Sequence, residues 1–185
     1  NQMIYEFCAE NVTLLEKAMQ AGARRIELCD NLAVGGTTPS YGVTKAAVEL
    51  AANYDSTIMT MIRPRGGDFV YHDLEIAIML EDIRLTAQAG SQGVVFGALT
   101  ADRKLDKANL EKLIAASKGM EIVFHMAFDE LSDEDQLEAI DWLSQAGVTR
   151  ILTRAGVSGD SLEKRFAHYH RILEHAASKI EILPG

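Results

Sequence analysis

The chain has 185 residues, with 18 Lys+Arg against 27 Asp+Glu and a formal net charge of −9. That length suits one domain of about 100 to 200 residues, and the composition, 48% hydrophobic and 24% charged, excludes a disordered or fibrous chain. The acidic balance argues against nucleic acid or an anionic membrane as partner, since both reward clustered Lys and Arg.

In chain order, the first strand-like run is Ile4 to Ala9, preceded by Met3, which reads as a native start. Asn11 before Val12-Thr13-Leu14-Leu15 marks a helix start, and Gln20-Ala21-Gly22 a helix stop, because glycine past the last turn takes the left-handed cap conformation. The second run, Arg25 to Cys29, leads through Gly35-Gly36-Thr37-Thr38-Pro39 to Ser40, a cap for a helix over Tyr41 to Ala52. The third, Thr57 to Ile62, enters Arg63-Pro64-Arg65-Gly66-Gly67-Asp68-Phe69. Asp73 then opens a helix with Ile76, Met79, Leu80 and Ile83 on one stripe, ending at Gln88-Ala89-Gly90. The fourth and fifth runs are Gly93 to Leu99 and Glu121 to Phe128. Ser132 with Asp135 starts a helix carrying Leu137, Ile140, Trp142 and Leu143, which stops at Gln145-Ala146-Gly147. The sixth and seventh runs are Arg150 to Thr153 and Ile180 to Leu183.

Regular strand and helix alternation predicts an α/β fold of parallel strands with helical crossovers. No Gly-x-Gly-x-x-Gly follows the first strand, which weakens a dinucleotide-binding reading. Polar residues gather at the C-terminal ends of several strands, as Glu10, Cys29, Arg63, Arg65, His125, Asp129, Thr153 and Arg154, which is how a (β/α)8 TIM-type barrel assembles a site. Such barrels take about 250 residues. Residues 1–185 therefore read as a single barrel domain that is truncated or incomplete after the seventh strand, with its C-terminal part missing.

Glu6, Cys8 and Glu10 alternate to one side of the first strand, and Glu27 and Cys29 share a face of the second. Carboxylates inside strands need partners, with Arg63, Arg65 and His125 as candidates. One reading is an enzyme site in which Glu10, Glu27, Arg63, His125 and Asp129 handle a small anionic substrate. Another is a polar layer that only fills the barrel. Cys8 and Cys29, two thiols on neighbouring strands without hard oxygen partners, suit a soft ion such as Cu(I) better than four-coordinate zinc; buried core cysteines are the plain alternative. Arg63, Arg65, Gly66 and Gly67 form an expected anion-binding turn, unless Arg65 and Asp68 merely staple the loop. The Gly35-Gly36 loop could bind an anion at the following helix or simply turn the chain. Asp129 could fix the tautomer of His125. His72, His168, His170 and His175 read as solvated surface, and the seven methionines as packing.

Glu27-Leu28-Cys29, Gly35 to Gly42, Met61 to Phe69, Phe124 to Asp129 and Ile151-Leu152-Thr153 together resemble the CutC copper homeostasis protein family, over essentially the whole chain. The resemblance implies a (β/α)8 barrel, a cytoplasmic location and a role in copper tolerance or trafficking, with Cys29 as a Cu(I) ligand. Two positions depart from the family pattern: Met126 stands where an arginine is usual, and Arg154-Ala155 where Ser-Gly is usual, as if a cation had moved between neighbouring strand ends. The two cysteines cannot build a disulfide framework, and no leader or bilayer-length apolar run is present, which agrees with a reducing cytoplasm. The expected partner is a copper ion or a small anion, neither nucleic acid nor membrane, with a homodimer left open. Arginines beside the pocket repel a cation, so the resemblance and the residue chemistry point to different ligands.

Overall fold

The computed structural model describes residues 4–154 and 160–185; Met3, read as the start, and Ala155 lie outside the described residues. Parallel strands alternate with helices: β1 (Glu6–Glu10), α1 (Leu15–Gln20), β2 (Arg25–Cys29), α2 (Tyr41–Ala52), β3 (Thr57–Met61), α3 (Asp73–Gln88), β4 (Gly93–Phe96), α4 (Lys107–Ala116), β5 (Glu121–Phe124), α5 (Asp133–Ala146), β6 (Arg150–Thr153), α6 (Leu162–Ala176) and β7 (Glu181–Pro184). Strand order follows chain order from β1 to β7. This is the βα series of the (β/α)8 barrel class, in which each helix carries the chain back to start the next parallel strand.

The chain divides into two compact units: Asn1–Asp68 with His72–Val95 and Ala116–Glu121, and Phe69–Tyr71 with Phe96–Ala115 and Ile122–Gly185. In the first unit, Ile26, Leu28 and Ile58 point from β2 and β3 onto Ala18 and Met19 of α1 and Ala47 and Ala51 of α2, all buried. Each such aliphatic side chain contributes about 2 kcal/mol by leaving water. Alternation along β2 therefore commits Arg25, Glu27 and Cys29 to the face away from those helices. In the second unit, Phe96, Phe124 and Phe128 are the largest fully buried side chains.

The local signals act as their chemistry requires. Ser40 Oγ accepts the Val43 amide at 3.2 Å, and Ser132 Oγ accepts the Asp135 amide at 3.2 Å, each satisfying a helix-start donor. Gly22, Gly90 and Gly147 sit at φ of +105°, +91° and +98°, so the three Gln-Ala-Gly triplets do stop their helices.

Four boundaries differ from the sequence pattern by two residues or more. Ile4 and Tyr5 are exposed and β1 begins at Glu6. The first helix waits until Leu15, because Asn11 and Leu14 adopt φ of +57° and +62°, which a helix start at Asn11 does not allow. The fourth strand ends at Phe96, where Leu99 turns its amide to the Phe69 carbonyl at 2.8 Å. The fifth ends at Phe124 and is followed by a 3-10 turn over Met126–Glu130. Apolar runs extend past strand ends here because the loops are buried too, so hydrophobicity alone overstates strand length.

Candidate functional site

In the first unit, β1 and β2 pair in parallel with Glu6 opposite Arg25, Cys8 opposite Glu27 and Glu10 opposite Cys29. Residues directly opposite share a face, so all six project to the side away from Ile26 and Leu28. Arg25 Nε donates to Glu6 Oε2 at 3.0 Å, and Glu10 Oε2 accepts the Leu32 amide at 3.0 Å. Glu27 is half-buried and, among the described residues, meets no hydrogen-bond donor. Burial, with the nearby Glu6 charge adding to it, pushes its carboxyl up to about 7.

Cys8 and Cys29 bring their sulfurs to 4.0 Å, Cys8 exposed and Cys29 fully buried. The Cys29 S–H also lies 3.5 Å from the Ala9 carbonyl. A hydrogen bond from Cys29 holds the Cys8 thiol below its ordinary range, while the same bond and burial push Cys29 upward. Cys8 is thus the sulfur that ionises first. Gly36, at φ +95°, packs against Cys29: a Cβ there would stand 3.3 Å from Cys29 Sγ and 3.7 Å from the Met61 methyl. The Gly35-Gly36 loop reads in the sequence as an anion site or a plain turn and Met61 as packing; Met61 is buried, and Gly36 packs directly on Cys29.

The arginine-rich loop has a different job from the one its composition suggests. Arg63 Nη1 donates to the Val34 and Gly36 carbonyls at 2.6 and 3.0 Å, and Nη2 to the Gly67 carbonyl at 2.9 Å. Its own backbone N–H reaches Thr38 Oγ1 at 2.8 Å. The buried guanidinium therefore clasps the two Gly-rich loops together. Gly66 makes the fit possible, since a Cβ there would come within 3.0 Å of Val34. Arg65 Nε donates to Glu75 Oε2 at 2.5 Å and Nη2 to Asp68 Oδ1 at 3.2 Å. Glu75 in turn completes a capping box with His72, which is exposed as expected and also caps the helix.

In the second unit, His125 is buried and its Nδ1 accepts the Ala127 amide at 3.1 Å, which places the proton of the neutral ring on Nε2. Its ring lies 4.8 Å from the Phe69 ring. Gly97 is obligatory beneath it, because a Cβ would meet His125 Cε1 at 2.5 Å. The expectation that Asp129 sets the His125 tautomer is corrected: Asp129 Oδ1 accepts the Thr153 hydroxyl at 2.5 Å, and its two oxygens accept the Arg154 amide at 3.2 and 3.0 Å. The cause is the 3-10 turn, which ends the strand alternation that would have put the two side chains together. Burial pushes the Asp129 carboxyl up, against the Thr153 and Arg154 hydrogen bonds. The two family departures meet, with Arg154 Nε 3.1 Å from Met126 Sδ. His168 is also corrected: it is 7% exposed and bonded to Gln136, whose amide reaches the Phe128 carbonyl at 3.1 Å. His170 and His175 pair with Glu174 and Asp141.

The CutC family model matches residues 3–185. The chain belongs to the CutC family. It is 51% identical over 183 residues to a family protein CutC of Enterococcus faecalis, covering 99% of this chain and 88% of that one. It is 40% identical to the human copper homeostasis protein cutC homolog, covering 100% of this chain and 65% of the human one. A solved structure assigned as the copper homeostasis protein CutC of Streptococcus agalactiae superposes with a TM-score of 0.92 at 45% identity, over 98% of this chain and 86% of that one. The deoxyribose phosphate aldolase of Aeropyrum pernix, at 12% identity and a TM-score of 0.68 over 98% of this chain and 74% of that one, shares the fold alone. For this CutC family member, no described helix is long and apolar enough to cross a membrane. Among the described residues, no group of three or more His, Cys, Asp or Glu is arranged to hold a metal ion.

Proposed function

We propose that this CutC family member serves copper homeostasis by taking Cu(I) as cargo between Cys8 and Cys29 in a reducing, cytoplasmic compartment. The observation that carries the reading is the 4.0 Å separation of the two sulfurs, one exposed for entry and one buried for retention. Metal–thiolate bonds of about 2.3 Å placed head to head span about 4.6 Å, so a small side-chain adjustment admits a soft ion. A disulfide fits less well. Cys8 faces Glu27, two residues before Cys29, so the cysteines are diagonal. With strands about 4.8 Å apart and a rise of about 3.3 Å per residue, their Cα atoms lie about 8 Å apart. Disulfides take about 4.4 to 6.8 Å.

A two-thiolate site also agrees with the donor set, since zinc would need further ligands. Glu10 and Glu27 flank the pair on the same face and favour a cation there. The test is competition for Cu(I) against a chromophoric chelator under anaerobic, reducing conditions. One ion per chain is expected, with affinity falling more than about 100-fold in Cys29→Ser and in Cys8→Ser. A Cys8→Ser/Cys29→Ser double variant that binds like the parent overturns the reading.

A second reading, an enzyme on a small anionic substrate in which Glu27 of the first unit does the acid–base work, is favoured by one observation. Glu27 titrates at about 7, which suits general acid–base work. Following the Glu27 side-chain carbon by NMR across pH tests it, and an ordinary carboxylate midpoint removes Glu27 from that role.

A further inference from the structure

Arg63 and Arg65 of the Gly-rich loop are bonded to protein acceptors, whereas Arg154 and Arg165 line a cavity. Within the second unit, a cavity of about 210 Å³ opens beside the C-terminal ends of β6 and β7, between Thr153, Arg154, Pro184 and Gly185 on the strand side and Leu162, Arg165, Phe166 and Tyr169 on α6. Leu162, Arg165, Phe166 and Tyr169 fall at i, i+3, i+4 and i+7 of α6 and so share one face. The core-facing stripe of the same helix is a different one, His168, Ile172 and Ala176. The cavity-side apolar groups are far from buried: Leu162 and Phe166 are each 64% exposed. Apolar and aromatic surface left open beside fixed charge is what ligand recognition requires.

Charge identifies the ligand. The chain carries a net −9, yet the side chains of the lining include two guanidiniums and no carboxylate. Among the described residues, no carboxylate comes within ion-pair distance of either guanidinium: Arg154 Nε points to the weak acceptor Met126 Sδ at 3.1 Å, and Asp129, the nearby acid, is occupied by the Thr153 hydroxyl and the Arg154 amide. A second cavity of the same unit makes the contrast. Its lysines are neutralised, Lys104 by Asp135 and Lys107 by Glu138, each at 3.1 Å.

We propose that the Arg154 and Arg165 cavity binds a small organic anion, a phosphate or carboxylate carried on a compact apolar or aromatic body. Two guanidiniums offer the forked donors that such an anion takes bidentately, and Phe166 and Tyr169 offer a face for the body. The volume is below the roughly 300 to 1,000 Å³ of drug-sized sites, which limits the ligand to a small metabolite. This site shares no residue with the thiol pair, and the copper reading is not needed for it.

The test is titration of the whole chain, by NMR or calorimetry at pH 7, with phenyl phosphate, benzoate and inorganic phosphate. Saturable binding of phenyl phosphate or benzoate is expected, tighter than inorganic phosphate, and whichever of the two binds better identifies the anionic group. Arg154→Ala and Arg165→Ala should each weaken it about tenfold or more, while Arg171→Ala, which removes an exposed cation of the same helix outside the cavity, leaves it unchanged. Cys29→Ser should also leave it unchanged, so loss of copper binding and loss of anion binding are separable. Three results overturn the proposal: no saturation by either organic probe, equal losses in Arg171→Ala and the two cavity variants, or sedimentation showing that a second copy of the chain covers Phe166 and excludes the probes.

Discussion

Two arginine-bearing regions of this molecule behave in opposite ways. Around Arg63 the guanidinium is buried and spends its donors on three carbonyls of two Gly-rich loops. Around Arg154 and Arg165 the side chains are exposed, line a cavity and, among the described residues, form no ion pair, although the Arg154 charge lies near Asp129. Arginine type and sequence neighbourhood do not separate the two. The difference lies in what the fold brings within about 3 Å: carbonyls that need donors in one place, open space in the other. Removing the first guanidinium should therefore cost stability, and removing the second should cost only binding.

The comparison breaks first at Arg63. Arg63→Ala strands the Val34, Gly36 and Gly67 carbonyls and should lower the unfolding free energy by about 3 kcal/mol, read from urea denaturation. Arg154→Ala should stay within about 0.5 kcal/mol of the parent in the same assay without ligand. Equal losses would erase the distinction.

Glu27 sharpens it from the acidic side. Its folded carboxyl is raised from 4.5 to about 7, so the folded state holds a proton that the unfolded state has released. Its penalty is absent below about pH 4.5, grows as pH rises to 7, and is complete above that. Holding a carboxyl midpoint one pH unit above its ordinary value costs about 1.4 kcal/mol once the group is ionised, and partial exposure discounts the whole penalty to about 2 kcal/mol. Glu27→Gln should accordingly stabilise the protein by about 2 kcal/mol at pH 8 and by nearly nothing at pH 4.5, measured by denaturation across pH. A benefit independent of pH would mean that charge burial is not the cause.

Gly36→Ala tests whether the loop against Cys29 is closely fitted. At φ +95°, with a Cβ 3.2 Å from Cys29 Cβ, it should cost about 1 to 2 kcal/mol and weaken Cu(I) retention. The smallest effect is expected at the helix start: Ser40→Ala removes the acceptor of the Val43 amide and should cost about 1 kcal/mol, with Cu(I) affinity unchanged.

Much of the fold was legible. Strand and helix periods, Ser caps and the Gln-Ala-Gly stops depend on residues within a few positions of one another, so seven strand segments and their crossovers could be read in order. The pairing of Cys8 with Cys29 was legible for the same reason, because consecutive parallel strands are neighbours. What misled was the assignment of partners. His168 looked exposed because its own helix gave no reason for burial; the reason is Gln136 on another helix, 32 positions away in sequence. Asp129 looked like a partner of His125 because strand alternation was carried past Phe124 into a 3-10 turn.

By itself, then, the sequence determined the order of elements, the serine caps and glycine stops of several helices and the face on which the thiols and carboxylates of β1 and β2 lie, since all of these follow from local backbone period and chirality. Only the tertiary structure decided which charged groups are already satisfied. A guanidinium in a loop motif has the same chemistry whether it closes on the Gly36 carbonyl or on solvent, and the choice is made by residues that come close only when the chain has folded.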